Sequence, residues 1–139
     1  MKPRNSTGKW LTILGLAMAA AKGEPLIVAH RGASREAPEN TLPAFQLAWE
    51  QKADAIEGDF HLTRDGQIVC LHDRDTGKVA DRKRVVRESL LAELRELDVG
   101  RRHAPEFAGT RIPTIAEVFA TVPGHGKIFV EVKCGPEII

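Results

Sequence analysis

Four short apolar runs, at 26–29, 55–60, 68–71 and 128–132, have the length and composition of strands. Helical periodicity fills most of the chain between them. Leu42, Phe45, Ala48 and Trp49 recur at three- and four-residue spacing, predicting a helix capped by Asn40 or Thr41 with Pro43 in its first turn. Ser89 is placed to cap a second helix, with Leu90, Leu94 and Leu97 as its stripe. Thr114 and Glu117 form a capping box ahead of Ile115, Val118 and Phe119, the apolar face of a third. Strands alternating with helices predict an α/β domain on a mainly parallel sheet.

One connection departs from that pattern. Only Thr63 to Gln67 separate Leu62 from Ile68, whereas a parallel crossover needs about a dozen residues. Asp65-Gly66 predicts a β-hairpin instead. If those two residues are the turn, Arg64 pairs with Gln67 and Asp59 falls opposite His72.

The N-terminus changes the picture of the whole. Lys2, Arg4 and Lys9 precede an apolar stretch from Trp10 to Ala21 that closes on small residues. This is the pattern of a secretory signal peptide over 1–21, too short to span a bilayer comfortably, and it predicts an exported protein. Residues 22–139 are then the mature domain, with no stable membrane insertion once the leader is cleaved. Removing Lys2, Arg4 and Lys9 from the 20 basic residues leaves 17 against 19 acidic ones. A near-neutral chain offers no electrostatic basis for binding nucleic acid or an anionic membrane. The densest basic run, Arg82-Lys83-Arg84, reads as a solvated loop. Cys70, inside an apolar run, reads as a buried free thiol; neither it nor Cys134 has metal-binding spacing.

Ionisable residues gather where the apolar runs end: His30-Arg31, Glu57-Gly58-Asp59, His72-Asp73 and Glu131-Val132-Lys133. A strand repeats every two residues, so Glu57 and Asp59 share one face, as do Glu131 and Lys133. Buried carboxylates are costly unless paired or bound to a cation. Glu57, Asp59 and Glu131 together make a hard, oxygen-rich set suited to Mg²⁺ or Ca²⁺. His30 and His72 beside them suit an acid and a base, since imidazole titrates near neutral pH. Arg31 and Lys133 supply positive charge for an anionic oxygen, phosphate being the obvious one. His61, His103 and His125 fall in loops or strand margins and are given no role.

The segments "AHRGASREAPENTLPAF", "ADAIEGDFHLTRDGQIVCLHD", "LRELDVG", "IPTIAEVF" and "FVEVK" resemble, in order, the glycerophosphodiester phosphodiesterase family. The resemblance implies a TIM-type (β/α) barrel of the phosphodiesterase kind, here about its first half with four strands. It implies metal-dependent hydrolysis of a small-molecule glycerophosphodiester to glycerol 3-phosphate and an alcohol. By the same resemblance His30 and His72 are the catalytic acid–base pair. Glu57, Asp59 and Glu131 hold the metal, Arg31 and Lys133 contact the substrate phosphate, and Glu39-Asn40 shapes the first loop over the site. Phospholipase-type cleavage of a larger lipid phosphodiester on the same fold, or an inactive fragment or binding module, are the alternatives. A TIM-type barrel takes about 250 residues, so the chain reads as a truncated domain whose open edge favours self-association.

Overall fold

A computed structural model describes residues 25–138. The leader expected over 1–21 lies outside the described residues. Strand β1 (Val28–His30) leads through a loop to helix α1 (Leu42–Glu50), then to β2 (Ala55–Leu62) and β3 (Ile68–Cys70). A long excursion carrying the short helix α2 (Leu91–Leu94) returns to α3 (Ile115–Ala120) and β4 (Lys127–Val132). Strands β1 and β4 run parallel to β2, and β3 runs antiparallel to it.

Strand β2 is the axis of the sheet. Glu57 pairs with both His30 and Phe129, and Phe60 with both Cys70 and Val132. Strands β1 and β3 therefore follow one another along one edge of β2, while β4 runs along the other. The alternation of β2 sorts its side chains cleanly. Ile56 and Phe60 pack with Phe45 and Ala48 of α1, Val118 of α3 and Cys70 in one core. The opposite face carries Ala55, Glu57, Asp59 and His61. Outer strands β1 and β4 leave Val28, Phe129, Val130 and Val132 exposed.

The helix caps follow local chemistry. Thr41 caps α1 by accepting from Ala44 N–H, and Thr114 and Glu117 form the expected capping box on α3. Two helix expectations are corrected. Ser89 does not cap α2; its hydroxyl donates to Val85 O, and the Glu93 carboxylate instead takes the Leu90 N–H at 2.8 Å. Phe119 is 47% exposed, because α3 contacts the sheet through Val118 and only six residues are helical.

The hairpin exists, in a different register. Phe60 pairs with Cys70 and Leu62 with Ile68, which sets Asp59 opposite Leu71 rather than His72. The N–H of Leu71 donates to Asp59 O at 2.9 Å. The cause is a three-residue loop, Arg64 to Gly66, in place of the two-residue turn. Thr63 N–H donates to Gln67 O, Gly66 N–H returns to Thr63 O, and Gly66 takes the left-handed conformation at φ 73°. Val69 and Leu71 thus share the face of His61 and Asp59. They anchor a second core built with Ala80, Val86, Leu94, Leu97, Val99 and Ile112 from the excursion. That excursion leaves and re-enters at one place: Cys70 N–H donates to Pro113 O at 2.9 Å, and Val69 bridges Thr114.

Candidate active site

Parallel pairing places Asp59 level with Glu131, and Glu57 two residues back on the same face. One oxygen from each of Glu57, Asp59 and Glu131 lies within 4.8 Å of the others. Oxygens bound roughly 2.0–2.6 Å from one ion are at most about 5 Å apart, so this spacing fits one Mg²⁺ or Ca²⁺.

Each buried carboxylate has one oxygen held and one left over. The Arg31 N–H donates to Glu57 Oε2 at 3.0 Å, and the Asn40 amide donates to Asp59 Oδ2 at 2.8 Å. Glu57 Oε1 and Asp59 Oδ1 are buried without a hydrogen-bond partner. Buried polar atoms are ordinarily satisfied, and two orphaned carboxylate oxygens beside a third carboxylate suit a cation.

Positive charge surrounds the cluster. Arg31 reaches Asp59 at 3.2 Å and Glu39 at 3.3 Å, and Lys133 reaches Glu131 at 2.9 Å and Asp59 at 3.5 Å. Lys78 closes on Glu39 from the excursion at 2.9 Å. Burial pushes the Glu57 carboxyl above its usual range; the Arg31 N–H offsets this in part, while Asp59 and Glu131 push the same way as burial. Burial also acts on Asp59, but the Asn40 hydrogen bond, Arg31, His72 and Lys133 together hold its carboxyl below the usual range. The Glu131 hydrogen bond raises the Lys133 ammonium.

His30 ends β1, two-thirds exposed, with Nε2 3.9 Å from Glu57 Oε2. His72 follows β3 and holds Asp73 Oδ1 through Nδ1 at 2.6 Å. With His61, Asp73, Arg74, Asp75 and Lys133 it lines an open cleft of about 480 Å³. Of the seven residues expected from the sequence, His30 and Arg31 close β1, Glu57 and Asp59 share one face of β2, His72 follows β3, and Glu131 and Lys133 close β4.

Three further residues belong to the site. Asn40 grips Asp59 twice, through the 2.8 Å bond above and by accepting from its N–H at 3.1 Å. Asp73 orients His72. His61 is no loop residue: it lies in β2, buried, with Nε2 3.1 Å from His72 O. The two-residue repeat through Glu57 and Asp59 runs on to His61, and that was the available signal.

Short parallel strands with helices between them, and an acidic site at the strand ends, define part of a TIM-type α/β barrel. Residues 30–138 match the glycerophosphoryl diester phosphodiesterase family, and the chain belongs to that family. It is 40% identical over 111 residues to a glycerophosphodiester phosphodiesterase of Caldanaerobacter subterraneus, covering 79% of this chain and 46% of the relative. A probable glycerophosphodiester phosphodiesterase 1 of Mycobacterium tuberculosis is 48% identical over 119 residues, covering 80% and 43%. Among solved structures, a glycerophosphodiester phosphodiesterase from Agrobacterium tumefaciens superimposes with a TM-score of 0.73 at 34% identity, covering 77% of this chain and 46% of its own. An Oleispira antarctica phosphodiesterase in complex with the product sn-glycerol-3-phosphate gives 0.75 at 34%, covering 78% and 44%. The chain spans about half the length of the relatives it matches.

Proposed function

We propose that this chain carries the catalytic centre of a glycerophosphodiester phosphodiesterase, releasing glycerol 3-phosphate and an alcohol. Glu57, Asp59 and Glu131 would hold a divalent cation, Mg²⁺ or Ca²⁺. The observation that carries this reading is the pair of buried oxygens without a hydrogen bond, Glu57 Oε1 and Asp59 Oδ1, beside Glu131, with Lys133 Nζ 3.5 Å from Asp59 Oδ1 as the nearby charge. The printed names of the relatives, and the sn-glycerol-3-phosphate in the Oleispira structure, support the substrate class.

When bound, the cation supplies Lewis acidity toward a phosphate oxygen. Arg31 and Lys133 meet the remaining anionic oxygens and fix the phosphate over the strand ends. The Nδ1 contact of His72 to Asp73 leaves its Nε2 available for proton transfer. One of His30 and His72 takes the proton of the attacking hydroxyl as the new P–O bond forms. The other gives a proton to the leaving alcohol oxygen as the old bond breaks, and overall one water is consumed.

The test is glycerol 3-phosphate release from glycerophosphocholine by the purified chain in Mg²⁺, Ca²⁺ or EDTA. Cation-dependent release that is lost in His30→Ala and in His72→Ala supports the reading. Release that persists in EDTA or in both variants overturns it. Export, read from the basic and apolar stretch at 1–21, is part of the proposal; an N-terminus starting near residue 22 in secreted protein supports it, and an intact Met1 there counts against it.

A further inference from the structure

The grip of Asn40 on Asp59 has its origin in how the sheet is assembled. The last pairing of β1 is His30 with Glu57, and the first of β3 is Phe60 with Cys70. Asp59 points its backbone N–H at the gap between the two strands, where no ladder partner exists. A buried N–H must be satisfied. Asn40 fills the gap, accepting that N–H on Oδ1 at 3.1 Å and donating from Nδ2 to the Asp59 carboxylate at 2.8 Å.

The orientation of this amide is fixed from a third side. The Cys70 thiol, fully buried, donates to the same Asn40 Oδ1 at 3.2 Å. Turning the amide over would set its NH₂ against the Asp59 N–H and its oxygen against the Asp59 carboxylate, and would cost the Cys70 thiol its acceptor. Asn40 is itself locked. It is 2% exposed, its φ of 59° lies in the left-handed region that asparagine tolerates better than most residues, and its N–H donates to Arg31 O at 3.1 Å. With Oδ2 taken by Asn40, Asp59 keeps Oδ1 without a hydrogen bond, 3.5 Å from Lys133 Nζ, in the carboxylate cluster it forms with Glu57 and Glu131.

We propose that Asn40, its amide oriented by Cys70, is a positioning residue that turns one Asp59 oxygen into the cation pocket. This rests on the cation reading of Glu57, Asp59 and Glu131. It gives the buried thiol a part: Cys70 holds an amide that holds a ligand. Partners of this kind orient metal ligands, and their loss typically weakens metal affinity about 10- to 100-fold.

The test uses the whole chain and needs no turnover. Ca²⁺ and Mg²⁺ affinities are measured by calorimetry, and Asp59 amide hydrogen exchange is read in cation-free protein. Asn40→Gly is the informative variant, because glycine accepts φ 59° without strain while removing the amide side chain. It should bind the cation about 10- to 100-fold more weakly and expose the Asp59 amide to exchange. Cys70→Ser keeps a donor and should stay near wild type, whereas Cys70→Ala should lose part of both properties with the loop intact. If Asn40→Gly does not fold, the contrast between Cys70→Ser and Cys70→Ala carries the test. Unchanged affinity and exchange in Asn40→Gly, or no contrast between the Cys70 variants, overturns the proposal alone. A wild-type chain that binds neither cation overturns the underlying reading of the site, and the proposal with it.

Discussion

Asp59 and Glu131 stand directly opposite each other on neighbouring parallel strands, two carboxylates on one face. Like charges so placed repel, and Lys133 offsets this only in part. Mg²⁺ or Ca²⁺ should therefore raise the unfolding temperature. At a hundredfold excess over the dissociation constant the gain should be about 2.7 kcal/mol. Glu131→Gln should remove most of that gain and stabilise the cation-free protein. Thermal unfolding with and without EDTA reads both effects; a gain unchanged in Glu131→Gln would remove Glu131 from the cation site.

Gly32 packs against the start of α1 with no room for a side chain. A Cβ there would lie 2.6 Å from the Ala44 carbonyl carbon, and its φ is 76°. Gly32→Ala should cost about 2–4 kcal/mol through overpacking and backbone strain together. Denaturant unfolding measures this, and a loss below about 0.5 kcal/mol would show that α1 can shift away.

His72 and Asp73 should separate in kinetics. His72→Ala should lower kcat about 10²- to 10⁴-fold with a much smaller change in KM. Asp73→Asn keeps the imidazole and should lose less, by weakening the contact that orients it. Steady-state rates on glycerophosphocholine decide the order; equal losses would mean that Asp73 does more than orient.

Asp98 gives the protein an acid-sensitive fastening. Hydrogen bonds from the Gly109, Arg101 and Gly100 N–H groups hold its carboxyl down at about 2, the Gly109 bond contributing most. A depressed folded-state value stabilises above the unfolded value near 4, and that stabilisation is lost as pH falls from about 4 to about 2. Asp98→Asn should cost about 1–2 kcal/mol at pH 7 and flatten stability across that window. Urea unfolding at several pH values tests the slope.

What the sequence made legible was periodic or local. The shared face of Glu57 and Asp59 is legible because a strand repeats every two residues, and the Thr114–Glu117 cap because its partners lie within one turn. The hairpin register differs from the expected one by one residue, since the three-residue loop depends on Thr63 bonding Gln67 and on the Gly66 conformation. Ser89 does not take the cap its position suggests, because the Glu93 carboxylate occupies the same helix end. The Asn40 contact with Asp59 is set by where β1 stops and β3 begins, a property of strand pairing that no short window of residues carries. His61 lies at the margin of β2, on the face that the two-residue repeat assigns to Glu57 and Asp59.

The excursion between β3 and α3 has consequences for redesign. Its ends are already stitched together by the Cys70–Pro113 hydrogen bond and the Val69–Thr114 bridge, and it buries its own apolar residues. Residues 74 to 112 thus behave as a cassette on a fixed socket. Lengthening such a segment adds only about 0.6 kcal/mol of closure entropy per doubling. Its tie to the acidic cluster runs through Lys78 and Glu39, while Glu57, Asp59 and Glu131 are supplied by strands outside it. Cassettes of other lengths can be grafted between those two points to reshape the cleft wall at Arg74 and Asp75 while the acidic cluster stays where it is.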